Sequence, residues 1–321
     1  MARNVLITGS TGFLGRALVA SVATPTINVI AASRSGDLIA SANIRGVAVP
    51  DINEATDWTH ALSGCDAIIH TAARVHVMHE RAADPLALFR EVNTAGTLNL
   101  ARQAIAAGVQ RFIFISSVKV NGESTASGQR FHPHDQPHPL DPYGVSKLEA
   151  EQGLLALARD SAMDVVIIRP VLVYGPGVKA NFLQLMRVLR KGIPLPLGAI
   201  NNRRSLVSLD NLVDFIKVCI DHRAAANQIF LVSDGEDLST TELARKLVSH
   251  LHAPNRLLPV PQPLLYLGAS LLGRRAVAQR ILGSLCVDIS KNRELLQWTP
   301  PVSVDDGLRN TVEHFLTTEQ R

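Results

Sequence analysis

"NVLITGSTGFLG", residues 4–15, is the stretch that decides the fold. An apolar, β-rich run passes directly into three glycines with the spacing G-x-x-G-x-x-G, and a helix is predicted to begin near Gly12. Gly9 permits a tight turn, Gly12 lets a pyrophosphate approach the backbone N–H groups at the helix start, and Gly15 permits close packing of helix on strand. The stretch therefore predicts a dinucleotide site rather than a purely structural turn.

The turn after the second apolar run bears on the choice of dinucleotide. Ser33 and Arg34 follow "NVIAAS", where NAD-preferring enzymes usually carry an acidic residue about 20 residues after the glycines to bind the ribose 2′-hydroxyl. A guanidinium suits a 2′-phosphate instead. The turn favours NADP over NAD, and a solvated surface arginine is the alternative.

Apolar runs alternate with helical patterns through the first two-thirds of the chain. The runs are "NVLIT", "NVIAAS", "RGVAV", "CDAIIHTAA", "RFIFISS" and "DVVIIRP". Continuous apolar strands separated by helices are typical of a parallel sheet covered on both faces, so the predicted fold class is α/β with a doubly wound parallel sheet. Helices are predicted in this part near 93–108 and 142–160.

The pattern becomes rich in Gly and Pro after Pro170. Further helices are predicted near 181–191, 210–222 and 239–252. We predict a nucleotide-binding domain over 1–170 and a smaller substrate-binding lobe mainly over 171–321. The two are predicted to be interleaved, with a return to the sheet near 205–234 that includes "QIFLVSD".

Composition excludes several classes of protein. The 46% hydrophobic content of the 321 residues can fill a large core, so disorder is excluded. The net charge of +4 suits an anionic ligand, but the basic residues are scattered and aromatic residues make up 4%, which argues against nucleic-acid binding. Cys65, Cys219 and Cys286 lack disulfide or zinc spacing, so we expect a cytoplasmic protein.

Two segments bear on membrane attachment. The opening residues Met-Ala-Arg lead straight into the first strand and leave no room for a signal peptide, so export is not expected. The apolar stretch Pro263 to Gly273, followed by Arg274 and Arg275, is too short to span a membrane, which needs about 20 apolar residues. A buried helix is predicted there, and a role at a membrane surface is the alternative.

The segment "DPYGVSKLEAE", Asp141 to Glu151, carries a tyrosine and a lysine four residues apart. Asp141 can cap a helix that Pro142 begins, so Tyr143 and Lys147 lie on one face. A tyrosine with a pKa near 10 is a poor base, and a nearby ammonium would stabilise its phenolate. The pair predicts proton transfer, with a plain capped helix as the alternative.

Seven motifs together resemble the extended short-chain dehydrogenase/reductase family, in particular its nucleotide-sugar epimerases and reductases. They are "TGxxGxxG", "HTAA" at 70–73, "EVNTAGT" at 91–97, "FISS" at 114–117, "YGVSK" at 143–147, "RPxxVYGPG" at 169–177 and the terminal "LLQWTPPVSVDDGLRNTVEHF". The resemblance covers essentially the whole chain. It implies a Rossmann fold and a homodimer that pairs through two Rossmann-domain helices.

The resemblance also implies the site residues. The catalytic residues would be Ser117, Tyr143 and Lys147. The cofactor would be held by Gly9, Thr11, Gly12, Phe13, Leu14, Gly15, Ser33, Arg34, Asp51, Ile52, Ala72, Ala73, Asn93, Ser116, Tyr143, Lys147, Pro170 and Val173. The UDP-sugar would be held by Arg74, Lys119, Asn181, Phe182, Leu197, Arg204 and Arg280.

Three departures from the family's patterns narrow the chemistry. Sugar 4,6-dehydratases carry Asp-Glu directly after the position of Ser117, and Val118 and Lys119 stand there instead, which disfavours elimination of water. Asn121 replaces a tyrosine common in epimerases. No Arg-x-Gly-Asp element is visible in the C-terminal lobe, and Arg280 is a weak substitute for it.

Histidines are not expected to bind a metal. "HPHDQPH", His132 to His138, lies in a Pro-rich setting typical of a surface loop near the substrate. His70 is predicted to lie in the core, while His76 and His79 follow in a loop that could contact substrate.

The fuller pattern, including "SSVKVNGEST" and "VSDGEDLSTTEL", resembles bacterial enzymes of surface-polysaccharide synthesis that act on UDP-N-acetylhexosamines. The first implied activity is NAD(P)H-dependent reduction of the C4 ketone of a UDP-4-keto-6-deoxy-N-acetylhexosamine, with Tyr143 as proton donor. The alternative is a 4-epimerase of UDP-N-acetylglucosamine or UDP-glucose with tightly bound NAD. A second alternative is an NAD(P)-binding sensor without turnover.

Overall fold

A parallel sheet forms the centre of the molecule in the computed structural model, which describes residues 2–36, 41–75, 84–273 and 275–319. Its strands are β1 Arg3–Thr8, β2 Ile27–Ser33, β3 Ile44–Ala48, β4 Ala67–His70, β5 Arg111–Ile115, β6 Asp164–Pro170 and β9 Gln228–Val232. Their order is β3-β2-β1-β4-β5-β6-β9, and every neighbouring pair is parallel. The order reverses between β1 and β4, where doubly wound sheets bind their ligands. The predicted fold class is confirmed.

Helices cover both faces of this sheet. They are α1 Phe13–Val22, α2 Thr59–Leu62, α3 Pro85–Phe89, α4 Thr97–Ala106, α5 Pro142–Arg159 and α7 Leu209–Asp221. Because strand side chains alternate, Val5 and Ile7 pack with the α1 and α7 side, whereas Leu6 packs with Leu100 and Leu154 of α4 and α5. Both faces of each central strand are therefore buried, which explains their unbroken apolar sequences.

The helix predicted near 93–108 begins earlier than its periodicity suggested. α3 leads into a π-helical segment, Arg90–Gly96, and then into α4. The Asp84 side chain caps α3 by accepting a hydrogen bond from the Ala87 N–H, and Pro85 takes the first position. This Asp-Pro start matches the one at Asp141 and Pro142, so the same capping signal marks both helices.

The C-terminal part builds a second, smaller layer. Its strands are β7 Leu172–Tyr174, β8 Arg204–Ser208 and β10 Asp237–Leu238, in the order β10-β8-β7. Its helices are α6 Ala180–Arg190, α8 Thr240–His250, α9 Gln262–Leu271, α10 Arg275–Leu282, α11 Ser290–Leu296 and α12 Val304–Thr318. The predicted return to the main sheet is made by β9 alone, while β8 stays in the small sheet.

The apolar stretch after Pro263 is not a buried helix, so that prediction was wrong. α9 has no buried residue, and its side chains Leu264, Leu267 and Leu271 are 58%, 57% and 80% exposed. Leu265 and Ala269 alone turn toward a small cluster formed with α10. In the part of the chain that the structure describes, too few residues pack over the outer face of α9 to cover it. No helix in the described part of the chain is long and apolar enough to cross a membrane.

Candidate active site

The glycine loop at the end of β1 is packed too tightly for side chains. A Cβ on Gly9, whose φ is +65°, would lie 2.9 Å from the Ala72 backbone, and one on Gly15 would lie 2.1 Å from the Gly9 carbonyl oxygen. Gly12 begins α1 without a side-chain cap, so the first N–H groups of the helix have no side-chain acceptor there. This bare backbone fits a dinucleotide pyrophosphate, as the sequence predicts.

The segment after β4 lies against that loop and is held in two ways. The Thr71 hydroxyl donates to the Thr8 carbonyl at 2.6 Å, and the Ala72 N–H donates to the Thr8 hydroxyl at 3.2 Å. The Asn93 amide accepts from the Arg74 N–H at 2.8 Å and donates to the Arg74 carbonyl at 3.0 Å. Buried Asn93 thus fixes the shape of the segment that carries Ala72.

Asn93 also connects this segment to the helix that carries the tyrosine. Its amide group donates to the Ser146 hydroxyl at 3.0 Å, and Ser146 in turn donates to the Tyr143 carbonyl at 2.8 Å. Thr94 adds a hydrogen bond of 3.0 Å to the Ser146 carbonyl. Asn93 is therefore a positioning residue between the cofactor crevice and the start of α5.

Tyr143 lies in the first turn of α5, where the Asp141 side chain caps the Gly144 N–H at 2.7 Å. Phe89 packs edge-on against its ring with centroids 6.1 Å apart. Burial raises the pKa of Tyr143 to about 12, the charge of Asp141 adds to this, and a hydrogen bond with Ser117 acts in the opposite direction. The phenol is thus protonated at neutral pH in the ligand-free protein.

Lys147 is buried one helical turn further on. Its Nζ donates to the Ile115 carbonyl at 2.9 Å and lies 5.9 Å from the centroid of the Tyr143 ring. Burial lowers the pKa of Lys147 to about 7, and the Glu151 carboxylate opposes that shift. The predicted catalytic residues therefore lie together at the carboxyl end of β5, where Ser117 is near enough to Tyr143 to lower the pKa of the phenol.

A buried ion pair lies directly beneath this site, and sequence reasoning missed it. The Arg169 guanidinium donates to both Glu151 carboxylate oxygens, at 2.9 and 2.5 Å, and to the Asn121 side chain at 3.0 Å. Both charged side chains are 2% exposed. Glu151 stands four residues after Lys147 on the same helix, so helical spacing was the available signal.

Comparison with known proteins identifies the family. The model of the NAD dependent epimerase/dehydratase family matches residues 5–233. The chain belongs to this family. A relative from Vibrio cholerae, a UDP-glucose 4-epimerase, is 51% identical over all of this chain and 98% of its own length. An Escherichia coli O157:H7 relative is 29% identical over 84% of this chain and 78% of its own; it is named N-acetyl-alpha-D-glucosaminyl-diphospho-ditrans,octacis-undecaprenol 4-epimerase.

Solved structures agree with the fold. The UDP-glucuronic acid 4-epimerase from Bacillus cereus, in complex with NAD, has a TM-score of 0.79 at 20% identity and covers 98% of this chain and 99% of its own. The UDP-glucose 4-epimerase from Thermotoga maritima, with UDP-glucose, has a TM-score of 0.77 at 23% identity, covering 98% of this chain and 99% of its own. At these identities the likeness shows the fold alone.

Within this NAD-dependent epimerase family fold, the predicted cofactor residues line the carboxyl edge of the sheet. Arg34 is exposed at the end of β2, and the Ser33 hydroxyl accepts a hydrogen bond from the Gly36 N–H at 3.0 Å. Asp51 is exposed. Ile52 packs against Gly96 so closely that a Cβ added at Gly96 would lie 2.7 Å from the Ile52 side chain. The structure thus places the predicted adenine-side residues on the β2 and β3 side of the crevice.

The side chain of Ser116, a predicted cofactor residue, points away from that crevice. Its hydroxyl donates to Glu151 in the buried network, so any contact with cofactor would come from its backbone. Pro170 is buried at the end of β6, and Val173 follows in β7. The residues that follow parallel strands all lie at the carboxyl edge of the sheet, but the sequence does not show which of their side chains face the crevice and which face the protein interior.

Two of the predicted substrate residues near the tyrosine are engaged by protein groups. Lys119 forms ion pairs with Asp141 and, at 3.1 Å, with Glu123. The Arg74 guanidinium lies over the Phe89 ring, 5.8 Å from its centroid, and Phe89 touches Tyr143. Arg74 therefore borders the mouth of the site, whereas Lys119 braces the capping residue of α5.

The predicted substrate residues of the C-terminal lobe are spread over several elements. Asn181 is exposed at the start of α6. Phe182 is buried and stacks on Tyr174 at 5.7 Å, so its side chain belongs to the lobe core, and the predicted contact with substrate would come from its backbone. The Leu197 carbonyl accepts from the Thr241 hydroxyl at 2.6 Å. Half-buried Arg204 donates to the Gly283 carbonyl at 3.2 Å, and burial lowers its pKa.

Some of the histidines discussed above lie among the residues that the structure describes, and others do not. His70 is buried, and its Nδ1 and Nε2 lie 2.7 and 2.9 Å from the hydroxyls of Thr8 and Thr97, which satisfies the ring as a core residue. The His132 N–H donates to Asp135 at 2.6 Å within its loop. No group of three metal-ligating side chains occurs among residues the structure describes. His76, His79 and the Arg280 side chain lie outside the described residues.

Proposed function

We propose that the chain is a UDP-sugar 4-epimerase that works with tightly bound NAD. The observation that carries the proposal is the full-length similarity, at 51% identity, to the Vibrio cholerae UDP-glucose 4-epimerase. The Tyr143 and Lys147 pair supports it, because proton transfer at a sugar hydroxyl is what such a pair can perform. The proposal therefore puts the 4-epimerase ahead of the 4-ketoreductase, which the sequence alone favoured.

The proposed reaction oxidises and then reduces C4 of the sugar. The glycine loop would hold the dinucleotide, whose chemistry would be reversible hydride transfer at C4 and a positive charge near the phenol. Tyr143 would take the proton from the O4 hydroxyl and give it back after the ketone has turned over. Lys147 lies close enough to stabilise the phenolate as an ammonium, and Ser117 would orient O4 by a hydrogen bond.

Dehydratase activity is disfavoured by the residues beside Ser117. Val118 is buried, and Lys119 is paired with two carboxylates, so neither offers an acid to a leaving hydroxyl. Elimination of water needs such a proton donor. The three cysteines are free and buried, which fits the proposed cytoplasmic location.

A 4-ketoreductase is the second candidate, and Arg34 favours it. An exposed guanidinium at the end of β2 suits the 2′-phosphate of an exchangeable NADPH. A relative named GDP-6-deoxy-D-mannose reductase, from Pseudomonas aeruginosa, is 27% identical over 96% of both chains. The same Tyr143 would then donate the proton to the C4 oxygen as hydride arrives at C4.

The test is to incubate purified protein with UDP-glucose and with UDP-N-acetylglucosamine, without added cofactor, and to assay for C4 epimers. Conversion in either tube supports the epimerase. A UDP-4-keto-6-deoxy-N-acetylhexosamine incubated with NADH or NADPH is the second arm. Turnover in that arm alone would replace the proposal with the reductase, and cofactor binding without turnover in any tube would favour the sensor.

Replacement of Tyr143 by phenylalanine checks the catalytic assignment. Because proton transfer by a positioned side chain contributes about 10²- to 10⁴-fold, Tyr143→Phe is expected to lower kcat by that factor while retained cofactor, read from absorbance, is unchanged. Unchanged turnover in this variant would remove Tyr143 from the mechanism.

A further inference from the structure

The outer face of α9 carries a group of large apolar side chains that are exposed to solvent. Leu264, Leu267 and Leu271 are spaced by three and four residues, so they form one stripe along the helix. Leu272 and Tyr266 extend it and are 76% and 38% exposed. Across the described chain, eleven large hydrophobic side chains are exposed, and these five form a block within ten residues. We call these five residues the α9 patch.

The inner side of the helix explains why the patch faces outward. Leu265 and Ala269, one turn apart, pack toward Ile200 and Leu282. Few side chains thus attach α9 to the rest of the molecule. Leu265 and Ala269 set its orientation, and the leucines of the patch take no part in this packing. A contiguous exposed apolar area of this kind marks an interaction surface.

Charge around the patch points to the kind of partner. From Arg256 the chain runs uncharged through Leu257–Gly273 and then reaches Arg274 and Arg275. No Asp or Glu occurs between Glu242 and Asp288, whereas basic residues do. They are Arg245, Lys246, Arg256, Arg274, Arg275 and Arg280. An uncharged apolar segment that is bounded in sequence by Arg256 and by Arg274 and Arg275, without an acidic residue, suits the surface of an anionic bilayer.

A second copy of the chain is the competing partner. Two copies related by a two-fold axis would bring these arginine-flanked helices together, and the segment has no acidic residue to neutralise them. Anionic lipid headgroups supply that neutralisation. Arg256 precedes α9 in the chain and is exposed, and its Nη1 donates to the Gly192 carbonyl at 3.3 Å; Arg275, which follows α9, is exposed as well.

We propose that the α9 patch binds the surface of an anionic phospholipid bilayer. The leucines insert among the acyl chains at the headgroup boundary, and the flanking arginines contact lipid phosphates. The helix is too short to span the bilayer, so the attachment is peripheral and reversible. The proposal does not depend on which sugar reaction the chain catalyses.

The test is co-sedimentation of the full chain with vesicles of phosphatidylcholine containing about 30 mol% phosphatidylglycerol, compared with pure phosphatidylcholine. We expect binding to the anionic vesicles and weaker binding as NaCl rises from about 0.1 to about 0.5 M, because the Debye length shortens. Absence of binding at low salt, or equal binding to neutral vesicles, would overturn the proposal.

Two sets of variants, each with its own control, separate the apolar and charged contributions. Leu267→Glu with Leu271→Glu is expected to lower vesicle binding at least about tenfold, while Leu140→Glu, at a leucine 60% exposed elsewhere, leaves it unchanged. Arg256→Gln and Arg275→Gln are each expected to lower binding to anionic vesicles about fivefold, with exposed Arg102→Gln as control. Equal effects of patch and control variants would contradict the assignment.

Thermal unfolding and the oligomeric state of each variant complete the experiment. The exposed positions are expected to leave the unfolding midpoint within a few degrees of wild type. If the wild type does not bind vesicles and the double glutamate variant converts an oligomer to monomers, the patch is an interface between two copies and the membrane proposal fails.

Discussion

At the scale of single residues, burial opposes the charges that the proposed chemistry needs. Burial raises the pKa of Tyr143 and lowers that of Lys147, so the ligand-free pair is pushed toward a neutral phenol and a neutral amine. A phenolate is formed readily only when a positive charge lies near it. The protonation state of Lys147 is therefore expected to control activity near neutral pH.

The first prediction concerns the alkaline side of the pH profile. The ammonium of Lys147 is lost as pH rises through about 7 rather than near its usual value of 10.5. We expect kcat/KM to fall between about pH 7 and pH 9, since that parameter reports ionisations of the free enzyme. Lys147→Arg, which stays charged, is expected to abolish this fall even if its activity is lower throughout. A fall that persists unchanged in Lys147→Arg would assign it to another group.

That Tyr143 and Lys147 would lie together was predictable from the sequence, but the direction of several neighbouring side chains was not. The Asp-Pro cap and four-residue spacing placed Tyr143 with Lys147 on one helix face. Nothing in the sequence showed that Ser116 turns inward to Glu151, because that depends on Arg169 arriving from another strand. The stacking of Phe182 was not predictable for a similar reason, because its partner Tyr174 lies on a different element.

At the scale of elements, close backbone contacts determine the geometry of the site. Strand β1 and helix α1 approach so closely that Gly15 is in contact with the Gly9 backbone. Helix α5 lies over β5 and β6 with the Glu151 and Arg169 pair enclosed between them. The first contact sets the cofactor crevice, and the second holds the helix that carries Tyr143 and Lys147.

The second prediction is for the glycine contact. Gly15→Ala would place a Cβ 2.1 Å from the Gly9 carbonyl oxygen, so the helix must move, and we expect at least about 2 kcal/mol of destabilisation with loss of cofactor retention. Gly268→Ala in α9 meets nothing within 4 Å, and it is expected to stabilise by up to about 1 kcal/mol. Urea unfolding measures both. Similar stabilities for the two variants would show that the turn is not tightly packed.

The third prediction concerns the ion pair beneath the site. Glu151→Gln leaves the Arg169 charge buried without a carboxylate and is expected to cost about 3–5 kcal/mol. Glu149→Gln is the control on the same helix, because its Arg90 partner is about half exposed, and it is expected to cost at most about 1 kcal/mol. Replacing Glu151 and Arg169 together with methionine should recover much of the loss, as measured by urea unfolding.

At the scale of the whole molecule, alternating apolar strands and helices were sufficient to predict a doubly wound sheet. The glycine loop fixed which strand lies beside the crevice, and "QIFLVSD" correctly indicated that β9 returns to the sheet. The exposure of α9 could not be predicted, because an apolar run has the same sequence whether or not other elements cover it. Whether other elements cover the apolar face of a helix depends on the tertiary structure of the whole chain.

The final prediction concerns acid stability, which depends on His70 at the junction of β1, β4 and α4. Burial, together with the charge of Lys147, lowers the pKa of His70 to about 3, from 6.5. Between those values the unfolded chain binds a proton that the folded chain does not, so stability is lost as pH falls below about 6.5. We expect a slope approaching 1.4 kcal/mol per pH unit from this residue near pH 5.

His70→Gln keeps a hydrogen-bonding side chain between Thr8 and Thr97 but cannot be protonated in this range. The free energy of unfolding, measured by urea titration from pH 6.5 to 5, is therefore expected to vary less in this variant. Lys147 contributes little below about pH 6, because its folded-state pKa of about 7 leaves it mostly protonated there in both folded and unfolded states. If wild type and His70→Gln lose stability at the same rate, the acid sensitivity of the fold comes from groups other than this buried imidazole.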